Sequence, residues 1–179
     1  MKRLKNLNII VAQTKNNVIG IGNNLPWAMG TQRIDMKNFK LRTTGNIVIM
    51  GYKTWMSMGS KPLPNRMNIV LTSKNIEDQP GVFFENPSCL DTFLEDLCHV
   101  NSESQIFIIG GANLIKQVNH LVTNVYLTII DTEVEESEEN VILNTYEDLG
   151  LIESKEVHTS EYPSDEHNHF KSTFHTFTF

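Results

Sequence analysis

Ile106-Phe107-Ile108-Ile109-Gly110-Gly111-Ala112 is an apolar run that halts at two glycines and passes into a helical pattern reaching Leu121. A short run with no polar alternation, followed at once by a helix, reads as a strand buried on both faces that crosses over to a parallel neighbour. The same grammar recurs on either side. Asn8 to Ala12 reads as a buried strand, and Gln32 to Thr43 as a helix with Thr31 as its N-cap. Asn46 to Met50 is a strand that stops at Gly51 and gives way to a short helix through Trp55, with Trp55 and Met58 expected in the core beneath it. The turn Lys61-Pro62-Leu63-Pro64-Asn65-Arg66 leads into the strand Asn68 to Thr72. Val82 to Phe84 is a strand, Pro87 to Val100 a helix, and Val125 to Ile130 is again β-like. Leu151 to Val157 and Phe170 to Phe179 read as a closing antiparallel hairpin. Phe170, Phe174, Phe177 and Phe179 break strict alternation, which predicts a bulge or an edge position. The expected fold is α/β: a single domain over residues 1–179, with a mostly parallel central sheet, an antiparallel C-terminal hairpin strand and about four flanking helices.

Composition narrows the function classes. The chain has 179 residues, long enough for one domain with a sizeable core. Its net charge of -6 leaves no electrostatic footprint for nucleic acid. Cys89 and Cys98 stand nine residues apart in one predicted helix, too far for a bridge and without zinc-site spacing. A reduced, cytoplasmic setting is expected. The start Met1-Lys2-Arg3-Leu4-Lys5 and the short apolar run after it do not make a signal peptide, and no stretch is long enough to cross a membrane. No metal is expected. His167-Asn168-His169 has no acid or cysteine partner at a suggestive spacing and reads as a polar hairpin turn. His99, His120, His158 and His175 are scattered, and no serine or cysteine stands in a nucleophile-elbow context, so no hydrolase triad is in view. The acidic run Glu133 to Glu139 reads as a solvated loop.

Ligands of parallel sheets sit at the carboxyl ends of strands, which gives weight to three junctions. Ile109-Gly110-Gly111-Ala112 is a turn where small residues let backbone N–H groups approach phosphate. Gly51-Tyr52-Lys53-Thr54 adds a hydroxyl and a cation, and Leu71-Thr72-Ser73-Lys74 adds two hydroxyls and a charge. Any one of these is an ordinary turn; three at successive strand ends suit a dinucleotide. Gly20-Ile21-Gly22 tempts a Rossmann reading, but the third glycine position holds Leu25, and Pro26-Trp27 does not continue a helix. Asn16 to Trp27 is read instead as a mobile loop able to close over a ligand.

Asp35 is the first candidate for chemistry. It is the only acid between Trp27 and Phe39, flanked by a large aromatic upstream and Phe39 one helical turn downstream. A lone carboxylate among aromatics is expected where a protein holds one charge in an apolar pocket.

Taken in order, Val18-Ile19-Gly20, Leu25-Pro26-Trp27, Asp35 with Phe39, Val48-Ile49-Met50-Gly51, Thr54-Trp55, Pro62-Leu63-Pro64 with Arg66, Ile109-Gly110-Gly111 and Tyr126-Leu127-Thr128 resemble dihydrofolate reductases, over about Asn8 to Asp131. The resemblance implies hydride transfer from NADPH to C6 of 7,8-dihydrofolate with protonation at N5. It casts Asp35, Trp27, Leu25 and Thr128 as catalytic: Asp35 accepting hydrogen bonds from the pterin, Thr128 bridging to it, Trp27 holding a water and Leu25 on a lid. Ile10, Val11, Met36, Phe39, Lys61 and Leu63 would line the substrate cleft, and Arg66 would grip the α-carboxylate of the glutamate tail. Ala12, Val18, Ile19, Gly20 and Asn23 would meet the cofactor. So would Gly51, Tyr52, Lys53 and Thr54, then Leu71, Thr72, Ser73 and Lys74, and finally Ile109, Gly110, Gly111, Ala112, Asn113 and Leu114. The family's Gly-Gly peptide is usually cis.

Departures from the family pattern are informative too. Asp35 lies eight residues after Trp27 where bacterial relatives usually have five or six, so Gly30 to Ile34 must absorb an insertion. Tyr52 and Asn113 stand where many relatives carry arginines for the cofactor's 2′-phosphate, leaving Lys53, Ser73 and Lys74 to compensate, and Ile115 replaces a common tyrosine. The resemblance further implies antifolate binding and a monomer. Two other readings stay open here: a nucleotide- or pterin-binding protein that has lost turnover, and a pyrimidine reductase of riboflavin synthesis, against which Arg66 and the aromatic pocket argue.

Overall fold

The computed structural model describes residues 3–179; Met1 and Lys2, part of the basic start, lie outside the described residues. In chain order the elements are β1 (Leu4–Thr14), β2 (Val18–Ile21), α1 (Arg33–Thr43), β3 (Ile47–Gly51), α2 (Tyr52–Ser57), β4 (Met67–Leu71), β5 (Val82–Glu85), α3 (Leu90–Val100), β6 (Ile106–Gly110), α4 (Ala112–Val118), β7 (Val122–Ile130), β8 (Asn140–Ile142), β9 (Lys155–Tyr162) and β10 (Ser172–Thr178). One sheet has the strand order β5-β4-β3-β6-β1-β7-β10-β9. β1 with β6, β3 with β6, β3 with β4 and β4 with β5 are parallel. β10 runs antiparallel to both β7 and β9. The mostly parallel sheet with its antiparallel C-terminal strands is the architecture expected.

Packing divides the chain into two compact units. The first comprises the described residues up to Ile9 and Thr43–Thr123. Its core shows why unalternated runs become parallel strands: Val48, Ile49 and Met50 of β3 and Ile106 and Ile108 of β6 are fully buried. Sealing such a side chain from water contributes about 1.5–3 kcal/mol. α3 buries Leu94 and Cys98, one turn apart, on its inner face. Asn6 donates from Nδ2 to the carbonyls of Cys98 (3.3 Å) and Asn101 (3.0 Å), satisfying acceptors that the end of α3 leaves open. Buried Asn68 clamps the turn before β4: its Nδ2 donates to Leu63 O and Arg66 O, and its Oδ1 accepts from Leu63 N at 2.9 Å. Cys89 and Cys98 are both free thiols.

The second unit comprises Ile10–Arg42 and Asn124–Phe179. Several expectations are corrected in it. Asn16 to Trp27 is not a loop throughout: Val18–Ile21 pairs with Asn140–Ile142, beyond the acidic run, as a two-stranded ribbon, and Gly22 donates to Glu139 O at 2.9 Å. That pairing of residues some 120 apart is invisible to local periodicity. The first hairpin strand starts at Lys155, because Leu151–Glu153 closes into a 3-10 turn behind Gly150 at φ 69°. The expected bulge is present between Thr176 and Phe177, where the β9–β10 register shifts. α1 begins at Arg33, and Thr31 does not cap it; its hydroxyl turns back to Ala28 O at 2.7 Å. Asn168, from the β9–β10 connection, accepts from Ile34 N at 2.8 Å and supplies the cap. α3 starts three residues later than expected and α4 is shorter by one residue at its start and three at its end, while α2 runs two residues past Trp55 to Ser57.

Candidate active site

Asp35 lies in the first turn of α1 and retains partial solvent contact. A helix N-terminus favours the carboxylate, and the hydroxyl of Thr128 donates to it, which lowers its pKa. Burial outweighs that stabilisation and pushes the carboxyl from its ordinary 3.8 up to about 6. The group is therefore mostly charged at neutral pH yet can take a proton at little cost. Thr128 is 3% exposed on β7, opposite Phe174 of β10. In the same unit Trp27 is buried, Leu25 and Met36 are partly exposed, and Phe39 is half-buried. Arg42 lies 4.1 Å over the Tyr126 ring. Ile10 and Val18 are buried, whereas Val11, Ala12, Ile19 and Gly20 are half-buried and Asn23 is exposed. A Cβ added at Gly20 would stand 3.3 Å from Asn24 O, so a side chain there would press on the turn that follows β2.

In the first unit two strand-to-helix turns meet. β3 ends at Gly51 and β6 at Gly110, and neither α2 nor α4 has a side-chain cap at its N-terminus. A Cβ at Gly51 would stand 3.9 Å from Gly111 N, and one at Gly111 would stand 3.3 Å from Thr54 Oγ1. Gly110 has φ 136°, a conformation side chains oppose, with Thr54 Oγ1 3.4 Å from its Cβ position. The Gly110–Gly111 peptide is cis, as the resemblance implies. Lys74 Nζ sits 4.1 Å over the Tyr52 ring, and its backbone N–H is turned by a bond to Thr72 Oγ1. Lys53, Ser73 and Lys74 are exposed, while Leu71 and Thr72 are half-buried. Side-chain-free turns, uncapped backbone N–H groups, hydroxyls and two ammonium groups form a donor set that fits a phosphate-bearing nucleotide. Of the other residues expected to meet the cofactor, Ala112 and Leu114 are buried in α4, Ile109 is half-buried, and Asn113 is exposed with its carbonyl engaged by Gln117.

Arg66 also belongs to the first unit. Its Nε donates to Pro64 O at 3.0 Å and its Nη1 to Thr43 Oγ1 at 2.9 Å, which fixes the plane of the guanidinium. Burial draws its pKa down. Lys61 is exposed and Leu63 half-buried in the turn that Asn68 clamps.

Sequence reasoning missed Gln32, Asn68 and Asn168, three buried polar side chains that shape these surroundings. Asp165 with Asn168 three residues later was a readable turn signal; its destination at α1 was not. Among the described residues no group of three or more His, Cys, Asp or Glu side chains is arranged to hold a metal ion. Among the same residues no helix is long and apolar enough to cross a membrane.

The family model described as dihydrofolate reductase matches residues 6–178. A dihydrofolate reductase of Haemophilus influenzae is 41% identical over 127 residues, covering 71% of this chain and 73% of that protein. That of Buchnera aphidicola is 36% identical over 129 residues, covering 72% and 74%. A solved structure of dihydrofolate reductase from Enterococcus faecalis, complexed with NADP(H) and RAB-propyl, superposes with a TM-score of 0.78. It is 27% identical and covers 99% of this chain and 98% of its own. With a matching family model over nearly its whole length and relatives above one-third identity, the chain belongs to the dihydrofolate reductase family.

Proposed function

We propose that the chain reduces 7,8-dihydrofolate to 5,6,7,8-tetrahydrofolate with NADPH, acting as one domain over residues 1–179. The observation that carries the reading is Asp35, a carboxylate raised to about 6 by burial and met by the Thr128 hydroxyl. A protein that only binds nucleotide has no use for such an acid.

When bound, NADPH would supply the hydride that the reduction at C6 requires, with N5 protonated from solvent. The chain's own residues bind, orient and exclude water. Asp35 accepts hydrogen bonds from the 2-amino group and the ring N–H of the pteridine, partners that repay the cost of its burial only when substrate is present. Thr128 orients that carboxylate and the pteridine together. Trp27 holds a water near the reacting face, and Leu25, partly exposed, shields it from bulk solvent. Ile10, Val11, Met36, Phe39 and Leu63 supply apolar contact, with Lys61 beside them. Arg66, its plane already set by Thr43 and Pro64, pairs with the α-carboxylate of the glutamate tail.

Gly51, Thr54, Gly110 and Gly111 would hold the cofactor's phosphates, with Ala112, Asn113, Leu114 and Ile109 framing the turn. Ala12, Val18, Ile19, Gly20 and Asn23 would also hold the cofactor. Leu71, Thr72, Ser73, Lys74, Tyr52 and Lys53 would also hold the cofactor, with Lys53, Ser73 and Lys74 the groups that would meet its 2′-phosphate. The protein works in the cytoplasm as a monomer and binds antifolates. The decisive assay is NADPH-dependent loss of dihydrofolate absorbance, expected for the wild type and lost or severely reduced in Asp35→Asn at neutral pH. Binding of NADPH without turnover of dihydrofolate refutes the proposal.

A further inference from the structure

We infer that Gln32 and Asn168 are positioning residues which tie the entrance of α1, and with it Asp35, to the β9–β10 connection; the inference rests on the reading of Asp35 as the substrate carboxylate. Asp35 is the third residue of α1, so its place depends on how the helix starts. The chain leading into α1 offers little hold of its own. Met29 is 79% exposed, Gly30 has φ 85° with nothing within 4 Å of its Cβ position, and Thr31 bonds backward to Ala28. This is the segment where the resemblance implies an insertion between Trp27 and Asp35.

The hold comes from residues more than 130 positions away. Asn168 Oδ1 accepts from Ile34 N at 2.8 Å, next to Asp35. The buried side chain of Gln32 donates to Phe170 O and Ser172 Oγ, both at 3.0 Å, and accepts from Phe170 N at 2.9 Å. His169 N donates to Thr31 O at 2.8 Å. The loop is itself stiffened by Asp165, whose Oδ1 accepts from His167 N, Asn168 N and Asn168 Nδ2 at 2.7–2.9 Å.

Both supports of the carboxylate thereby converge on β10. Ser172 at its start is held by Gln32, and Phe174 two residues on is paired with Thr128, the residue that donates to Asp35. Along the chain the flanking ionisable groups are Asp165, Glu166, His167 and His169 on the loop and Arg33, Lys37 and Arg42 on α1, with Arg42 over Tyr126 of β7 and Tyr162 of β9 against Phe174. The acidity of Asp35 is set by burial and by Thr128. Loosening the entrance therefore acts by admitting water.

The test uses the full chain with Asn168→Ala and Asp165→Ala, assayed with dihydrofolate and NADPH across pH 5–9. Asn168→Ala is expected to raise the dihydrofolate KM on the order of fivefold, the loss typical of a helix cap, with the NADPH KM changed by less than about twofold. The acid midpoint of its kcat/KM profile moves down toward an ordinary carboxylate as water reaches Asp35. A folded Asn168→Ala that loses only thermal stability, with dihydrofolate KM and midpoint unchanged, overturns the inference. Should Asn168→Ala not fold, Asp165→Ala, at an exposed carboxylate, carries the same test with a smaller effect. Asp35→Asn separates the two levels. Full activity there refutes the reading of the site; its loss beside an unaffected Asn168→Ala refutes only the tether.

Discussion

Asp35→Asn should make this protein more stable at neutral pH while removing its activity. Burial holds the folded carboxyl at about 6 against an ordinary 3.8, a difference worth about 3 kcal/mol. The sign follows from proton counting. Between these values the folded chain binds more protons than the unfolded one, so stability is fully present below about pH 4 and is lost as pH rises to about 6. Above that the cost is constant. Asparagine has the same shape, still accepts from Thr128, and carries no charge to desolvate. Chemical denaturation of the ligand-free wild type and variant should therefore show equal stability near pH 4. The variant should gain an advantage of about 2–3 kcal/mol by pH 7.5, with a melting temperature higher by about 5–10 °C. Other titrating groups cancel in the difference. A gap independent of pH, or a variant less stable than wild type at pH 7.5, refutes the claim that Asp35 is held at a cost which only substrate relieves.

Gly110→Ala places a methyl 3.4 Å from Thr54 Oγ1 at φ 136°, so it should cost about 1–3 kcal/mol of stability and weaken NADPH binding at least tenfold by fluorescence titration. Unchanged affinity would remove this turn from the cofactor site. Arg66→Leu should raise the dihydrofolate KM with a smaller effect on kcat, and it should lose about 1 kcal/mol of stability with its bonds to Pro64 and Thr43. An unchanged KM excludes the tail-carboxylate role. Lys74→Gln removes the ammonium stacked on Tyr52, so the NADPH-to-NADH ratio of kcat/KM should fall and NADPH binding should lose salt dependence. A ratio equal to wild type assigns the 2′-phosphate elsewhere.

Much of this molecule is written in short stretches of chain. Ile47–Gly51 and Ile106–Gly110 have no polar alternation because both faces are covered, and that pattern alone announces parallel strands followed by helices. Asp35, isolated between Trp27 and Phe39, stands out as the candidate acid for the same reason: an unpaired charge among aromatics is rare enough to carry meaning. The bulge near Phe177 was legible as broken alternation. Local composition also located Gly110-Gly111, since only glycine tolerates both φ 136° and the approach of Thr54.

What no local pattern held was the pairing of distant segments. The ribbon of β2 with β8 and the Asn168 cap on α1 each join residues whose meeting depends on the whole chain being folded. Thr31 is a sound cap by composition, but its hydroxyl donates to Ala28 O, and it is Asn168, held by Asp165, that accepts from Ile34 N. The sequence by itself determined which residues could do the chemistry, since side-chain type and hydrophobic period are local properties. Only the tertiary structure decided how acidic Asp35 is and what holds it, because desolvation and hydrogen bonding are set by neighbours that the chain brings from more than 90 residues away.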